Sequence, residues 1–167
     1  MFVTSISDPV PSFLKFFERN KGICDILLLF NSTMFGEMDD ARFALEFLSR
    51  RYPGVPAIIA GFSFGSYVGL RVGATDDRVY AMIGLGVPAR MFDGETLQNS
   101  YKPKLFIHGT QDELAPYELM QQWFEQVPAP KQLVMIEGAD HFFQGRLEEM
   151  QAIITEFVRS LDHPAAS

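Results

Sequence analysis

Three side chains in this sequence, taken in chain order, are of the types that carry out acyl transfer: Ser63, Asp112 and His141. Ser63 stands at the centre of Gly61-Phe62-Ser63-Phe64-Gly65. The apolar run Pro56-Ala57-Ile58-Ile59-Ala60 precedes it, and Ser66-Tyr67-Val68-Gly69-Leu70-Arg71-Val72-Gly73 follows. An apolar run, a G-x-S-x-G and then a helical pattern is the sequence form of a nucleophile elbow. Such a turn lifts the serine hydroxyl above a sheet, and glycines are needed where side chains would collide across it. The following helix aims its first N–H groups at the site, which favours a developing negative charge. Gly65, Gly69 and Gly73 are four apart, which places them on one helix face where they allow close packing on a sheet.

A serine hydroxyl is a weak nucleophile until a base takes its proton. The candidates are His108, His141 and His163. His163 belongs to a tail of small residues, and His108 ends an apolar run and is expected to pack or hydrogen-bond beneath a loop. His141, in the loop after the last apolar run, is the expected base. An imidazole in this role needs an acid to set its tautomer. Asp112, four residues past His108, is the expected acid and Glu113 the second choice. Asp140 ranks lower because adjacent side chains diverge. Neither His108 nor His141 stands in metal-ligand spacing with cysteines or carboxylates, so no metal or cofactor is implied.

These residues need a scaffold, and the rest of the chain supplies its pattern. Apolar runs at Asp25–Phe30, Pro56–Ala60, Val79–Leu85, Lys104–His108 and Lys131–Ile136 read as strands buried on both faces. A short strand is also expected at Phe2–Ile6, and a helix from Ser12 to about Asn20. Helical patterns are expected at Glu37–Tyr52, from the elbow to near Ala74, at Pro116–Gln126 and at Gly145–Leu161. Leu119, Met120, Trp123 and Phe124 mark the expected buried side of the third of these, and Leu147, Met150, Ile154, Phe157 and Leu161 that of the last. Residues 89 to 102 read as irregular, suited to a pocket wall. Alternating strands and helices predict a three-layer α/β/α sandwich on a mostly parallel sheet of about six strands. Ligands bind such sheets at the carboxyl ends of the strands. Ser63, Asp112 and His141 all fall just after a strand.

The chain has 167 residues, 47% of them hydrophobic and 21% charged, which suits one globular domain over residues 1–161 with a loose tail at 162–167. A net charge of −7 offers no basic stripe and argues against nucleic acid or an anionic membrane surface as partners. The only cysteine is Cys24, expected to be a small buried hydrophobe, so no intrachain disulfide forms and a reducing, cytoplasmic setting is expected. No signal peptide, repeat or membrane-spanning run stands out.

From about Gly36 to Leu161 the chain resembles small bacterial α/β-hydrolases related to the dienelactone-hydrolase group. GFSFGSYVGLR is similar to that family's elbow and helix, KLFIHGTQDELAP to its acid loop and EGADHFFQGRLEE to its histidine loop. The order Ser63, Asp112, His141 is also that of the family. The resemblance implies hydrolysis of a small ester or thioester through an acyl-enzyme on Ser63, with no lid domain and no cofactor. The Phe64 N–H would hold the oxyanion.

The front of the chain departs from the family pattern. No His-Gly or His-Pro stands before Ser63 at the end of an inner strand, where the family takes its second oxyanion N–H. Two readings fit. In one, Phe2–Ile6 replaces the inner strand and the backbone at Ile6 or Ser7 supplies that donor. In the other, the hole is incomplete and the protein is a weakly active or non-catalytic binding relative. A short front end would also leave an apolar sheet edge, which a second copy in a homodimer could cover.

Overall fold

Five of the apolar runs form five strands, and four amphipathic patterns form the helices between and after them. The structure, a computed structural model, describes residues 25–29, 37–93 and 95–161. In chain order the elements are β1 (Asp25–Leu29), α1 (Glu37–Arg51), β2 (Ala57–Phe62), α2 (Phe64–Thr75), β3 (Val79–Leu85), a short 3-10 turn (Ala89–Met91), β4 (Lys104–Gly109), α3 (Tyr117–Gln126), β5 (Lys131–Ile136) and α4 (Leu147–Ser160). The expected strand at Phe2–Ile6, the helix from Ser12, Cys24 and the tail lie outside the described residues.

All four strand pairings are parallel, and the strands lie side by side in chain order, β1-β2-β3-β4-β5. A sheet that always steps the same way, with right-handed crossovers, must place every connecting helix on one face. The packing follows. Ala41, Leu45 and Leu48 of α1, Val68 and Val72 of α2 and Met120 and Trp123 of α3 share a core with Ala57, Ile59, Met82 and Phe106. No described strand follows α4, so that rule does not bind it, and it covers the opposite face. Its Met150, Ile154 and Phe157 pack with Ile58, Ala60, Ile83, Leu105 and Ile107. Successive strand residues thus alternate between two cores, which explains runs that are apolar throughout.

One strand end and one helix face differ from the pattern in the sequence. Strand β2 continues through Gly61 and Phe62 because both pair with β3, opposite Gly84 and Leu85. The elbow is therefore a strand end first and a turn only at Ser63. In α3, Leu119 is not on the buried side as expected: it is 41% exposed, whereas Met120 and Trp123 are buried. At 100° per residue, the centre of the face defined by Met120, Trp123, Phe124 and Val127 lies nearly a quarter turn from Leu119. Among the described residues no helix is long and apolar enough to cross a membrane.

Candidate active site

The elbow is held by the main chain on both sides. Ser63 closes β2 with φ 51° and ψ −123°, and α2 begins at the next residue. A non-glycine residue with positive φ costs about 1–3 kcal/mol and persists only where its surroundings fix it. They do so here: Ser63 N–H donates to the Leu85 carbonyl at 2.8 Å, while the Ser66 N–H and hydroxyl donate to the Ser63 carbonyl at 2.9 and 2.6 Å. A Cβ on Gly61 would run into the backbone at Gly65, so the turn admits only glycine there. Gly65, Gly69 and Gly73 are buried on α2.

Two loops at the ends of β4 and β5 bring the acid and the imidazole to the serine. They are stitched together by hydrogen bonds from Thr110 N–H to the Ile136 carbonyl (3.1 Å), from Gln111 N–H to the Ala139 carbonyl (2.9 Å) and from Gly138 N–H to Thr110 Oγ1 (2.8 Å). Asp112 is buried. Its Oδ1 accepts from the N–H groups of Leu114 (3.0 Å) and Ala115 (2.8 Å), and its Oδ2 lies 2.7 Å from His141 Nδ1. Burial pushes the Asp112 carboxyl up, but the His141 hydrogen bond, the Ala115 N–H and the two nearby imidazoles outweigh it and hold the group below the usual carboxylate range. An ionised carboxylate only accepts, so His141 donates from Nδ1 and Nε2 carries the lone pair. That Nε2 lies 2.9 Å from Ser63 Oγ. The result is one unbroken chain of hydrogen bonds from a half-buried hydroxyl through a buried imidazole to a buried carboxylate.

The structure thus brings together Ser63, Asp112 and His141. Glu113 is exposed, and Asp140 caps the histidine loop by accepting from Gln144 N–H at 3.0 Å. The N–H of Phe64 is the first of α2, where no carbonyl within the helix can reach it. Ile6 and Ser7 lie outside the described residues. Among the described residues no group of three or more His, Cys, Asp or Glu side chains is disposed to hold a metal ion.

Three neighbours of His141 carry no chemical signature in the sequence. Phe62 and Phe142 flank the imidazole, with ring centroids 5.1 and 5.3 Å away. Gly86, at φ +54°, presents bare backbone to it: a Cβ there would fall 3.1 Å from His141 Cε1. The one available signal is position, because Gly86 follows the end of β3 as Ser63 follows the end of β2.

Residues 41–161 match the family of alpha/beta hydrolase domains. The chain belongs to the α/β-hydrolase family. The match does not single out the dienelactone-hydrolase group. An α/β serine hydrolase homologue from Coxiella burnetii is 30% identical, with a TM-score of 0.68, over 80% of this chain and 62% of that one. An α/β serine hydrolase without a lid from Xanthomonas campestris is 29% identical, with a TM-score of 0.71, over 82% of this chain and 62% of that one. An uncharacterized protein of Rickettsia prowazekii is 23% identical over 74% of this chain and 56% of its own length. The chain therefore spans less than two thirds of each of these relatives.

Proposed function

We propose that this hydrolase cleaves a small ester or thioester through an acyl-enzyme on Ser63. The observation that carries the reading is the chain of hydrogen bonds Ser63 Oγ to His141 Nε2 and His141 Nδ1 to Asp112 Oδ2, at 2.9 and 2.7 Å. Ser63 Oγ attacks the acyl carbonyl carbon as its proton passes to Nε2. The imidazolium is stabilised by the Asp112 carboxylate. The carbonyl electron pair moves onto oxygen, where the Phe64 N–H and the positive end of α2 favour it. A second donor from the backbone at Ile6 or Ser7 would complete the hole. Collapse of the tetrahedral adduct expels the alcohol or thiol, which takes the proton from Nε2. Water, activated by the same imidazole, then releases the acid and restores the serine.

The relatives described as serine hydrolases support this reading, as does a serine that is half-buried rather than sealed. Short acyl groups suit a described fold with no inserted lid. A fluorophosphonate probe tests the proposal. Wild type is expected to label and to release p-nitrophenol from p-nitrophenyl acetate, with Ser63→Ala doing neither. A folded wild-type protein that neither labels nor turns over would point instead to a ligand-binding relative with an incomplete hole.

A further inference from the structure

One fully buried imidazole has no part in that reaction. His108 lies near the end of β4, opposite Met135 of β5, on the sheet face that also carries Phe106. Its Nε2 is 2.6 Å from the Ala115 carbonyl oxygen. A carbonyl only accepts, so Nε2 carries the proton and the neutral ring keeps its lone pair on Nδ1. That Nδ1 is buried with no hydrogen-bond partner among the described residues. Burial also holds the His108 imidazole below its ordinary pKa, despite the Ala115 contact and the Asp112 carboxylate nearby.

A histidine is a costly choice at such a position. An orphaned buried acceptor costs about 1–3 kcal/mol, and an apolar side chain of similar size would avoid it. What the imidazole supplies is the Nε2 proton. Ala115 is held at two points: its carbonyl accepts from His108 Nε2, and its N–H donates to Asp112 Oδ1 at 2.8 Å. The same Nε2 lies 3.7 Å from Asp112 Oδ2, the oxygen that receives His141 Nδ1. The acid therefore sits between two imidazoles, one that it orients and one that fixes its own loop.

We propose that His108 is a positioning residue: through Ala115 it fixes the loop that aims the Asp112 carboxylate at His141. The proposal rests on the reading of Asp112 as the acid partner of His141. It acts through geometry and moves no proton in the reaction.

The test compares His108→Gln, which keeps a donor near the Nε2 position, with His108→Met, which fills the space without one. Three quantities are read in each folded variant: the NMR resonance of the proton between His141 Nδ1 and Asp112, the His141 titration curve, and kcat and KM for p-nitrophenyl acetate. His108→Met is expected to lose or broaden that resonance, to shift the His141 titration, and to lower kcat about 10- to 100-fold with KM changed less than about threefold, the scale expected of a small misplacement. His108→Gln is expected to restore all three to near wild type. A folded His108→Met with wild-type resonance, titration and kcat would overturn the proposal, and so would a Gln variant no better than Met. Should the Met variant not fold, imidazole 15N shifts of wild type decide. An Nε2–H tautomer at His108 across neutral pH supports the proposal, and an Nδ1–H tautomer or an imidazolium overturns it. If wild type turns over no ester while the shared-proton resonance responds as expected, the hydrolase reading falls and the positioning role stands.

Discussion

The two ends of the sheet treat charge in opposite ways. At the carboxyl ends of the strands, the side chains of Ser63, His141 and Asp112 are hydrogen-bonded to one another, and Asp112 also accepts from two main-chain N–H groups. At the amino ends, three lysines spend theirs on main-chain carbonyls. Lys102 Nζ donates to Gly73 and Asp76 at 2.8 and 2.6 Å, Lys104 Nζ to Lys102 and Pro128 at 2.7 and 3.2 Å, and Lys131 Nζ to Phe124 and Glu125 at 2.5 and 3.2 Å. The difference follows from the polarity of a parallel α/β unit. Every connecting helix ends, carbonyls outward, beneath the amino ends of the strands, and that end favours cations. The helix N-termini lie at the other end, where an oxyanion would form. At one end the ammoniums anchor main-chain carbonyls at a cost, since burial pushes Lys102 and Lys104 below the usual lysine range; at the other, three side chains are linked into one hydrogen-bonded chain.

That separation can be broken by substitution. The largest expected effect is at Ser63: Ser63→Ala should remove labelling and lower ester turnover on the order of 10⁵-fold. Ser63→Gly should be equally inactive yet more stable than the alanine variant by about 1 kcal/mol, because glycine accepts the positive φ; melting curves of the two variants measure this. Asp112→Asn should keep the fold and cut kcat about 10³- to 10⁴-fold, since an amide cannot hold the Nδ1–H tautomer in the same way. Gly86→Ala should cost about 10- to 100-fold in kcat by pushing the imidazole aside, and about 1 kcal/mol in stability. The smallest effect on activity is expected at the other end. The Lys104 ammonium is pushed down to about 8, first by burial and then by Lys131. Below that pH both folded and unfolded chains hold the proton. As pH rises from about 8 to 10, the folded chain releases it before the unfolded one does, so this group adds about 1–2 kcal/mol of stability across that window. Lys104→Met should flatten that rise in thermal melts and leave kcat/KM within about twofold. A large loss of kcat in Lys104→Met would erase the distinction between the two ends.

What the sequence disclosed depends on how local each signal is. Strands β3 and β5 are legible to their last residues, because Asp77-Arg78 and Gly86 bracket one, and Pro130 and Gly138 the other. The elbow is legible because its glycines answer a clash between residues four apart. Leu119 was misleading, because an apolar residue at the margin of a helical stripe looks like one inside it. The contacts of Phe62, Phe142 and Gly86 with His141 are not legible: Gly86 is marked only by its position after β3, and the three meet the imidazole through β2, β3 and the last loop, a contact no spacing encodes. Asp112 shows a finer limit. Its position ahead of Pro116 also fits a turn cap, and its two carboxylate oxygens divide between capping the turn and pairing with His141.

The strict left-to-right order of the strands has a consequence for synthesis. Each new strand pairs with the one made just before it, so the sheet can grow at one edge as the chain leaves the ribosome. Ser63 is delivered with β2 and His141 only after β5. Until His141 and its loop emerge, Ser63 is an ordinary alcohol on a strained turn. The hydrogen-bonded chain from Ser63 through His141 to Asp112 can therefore close only after β5 is in place.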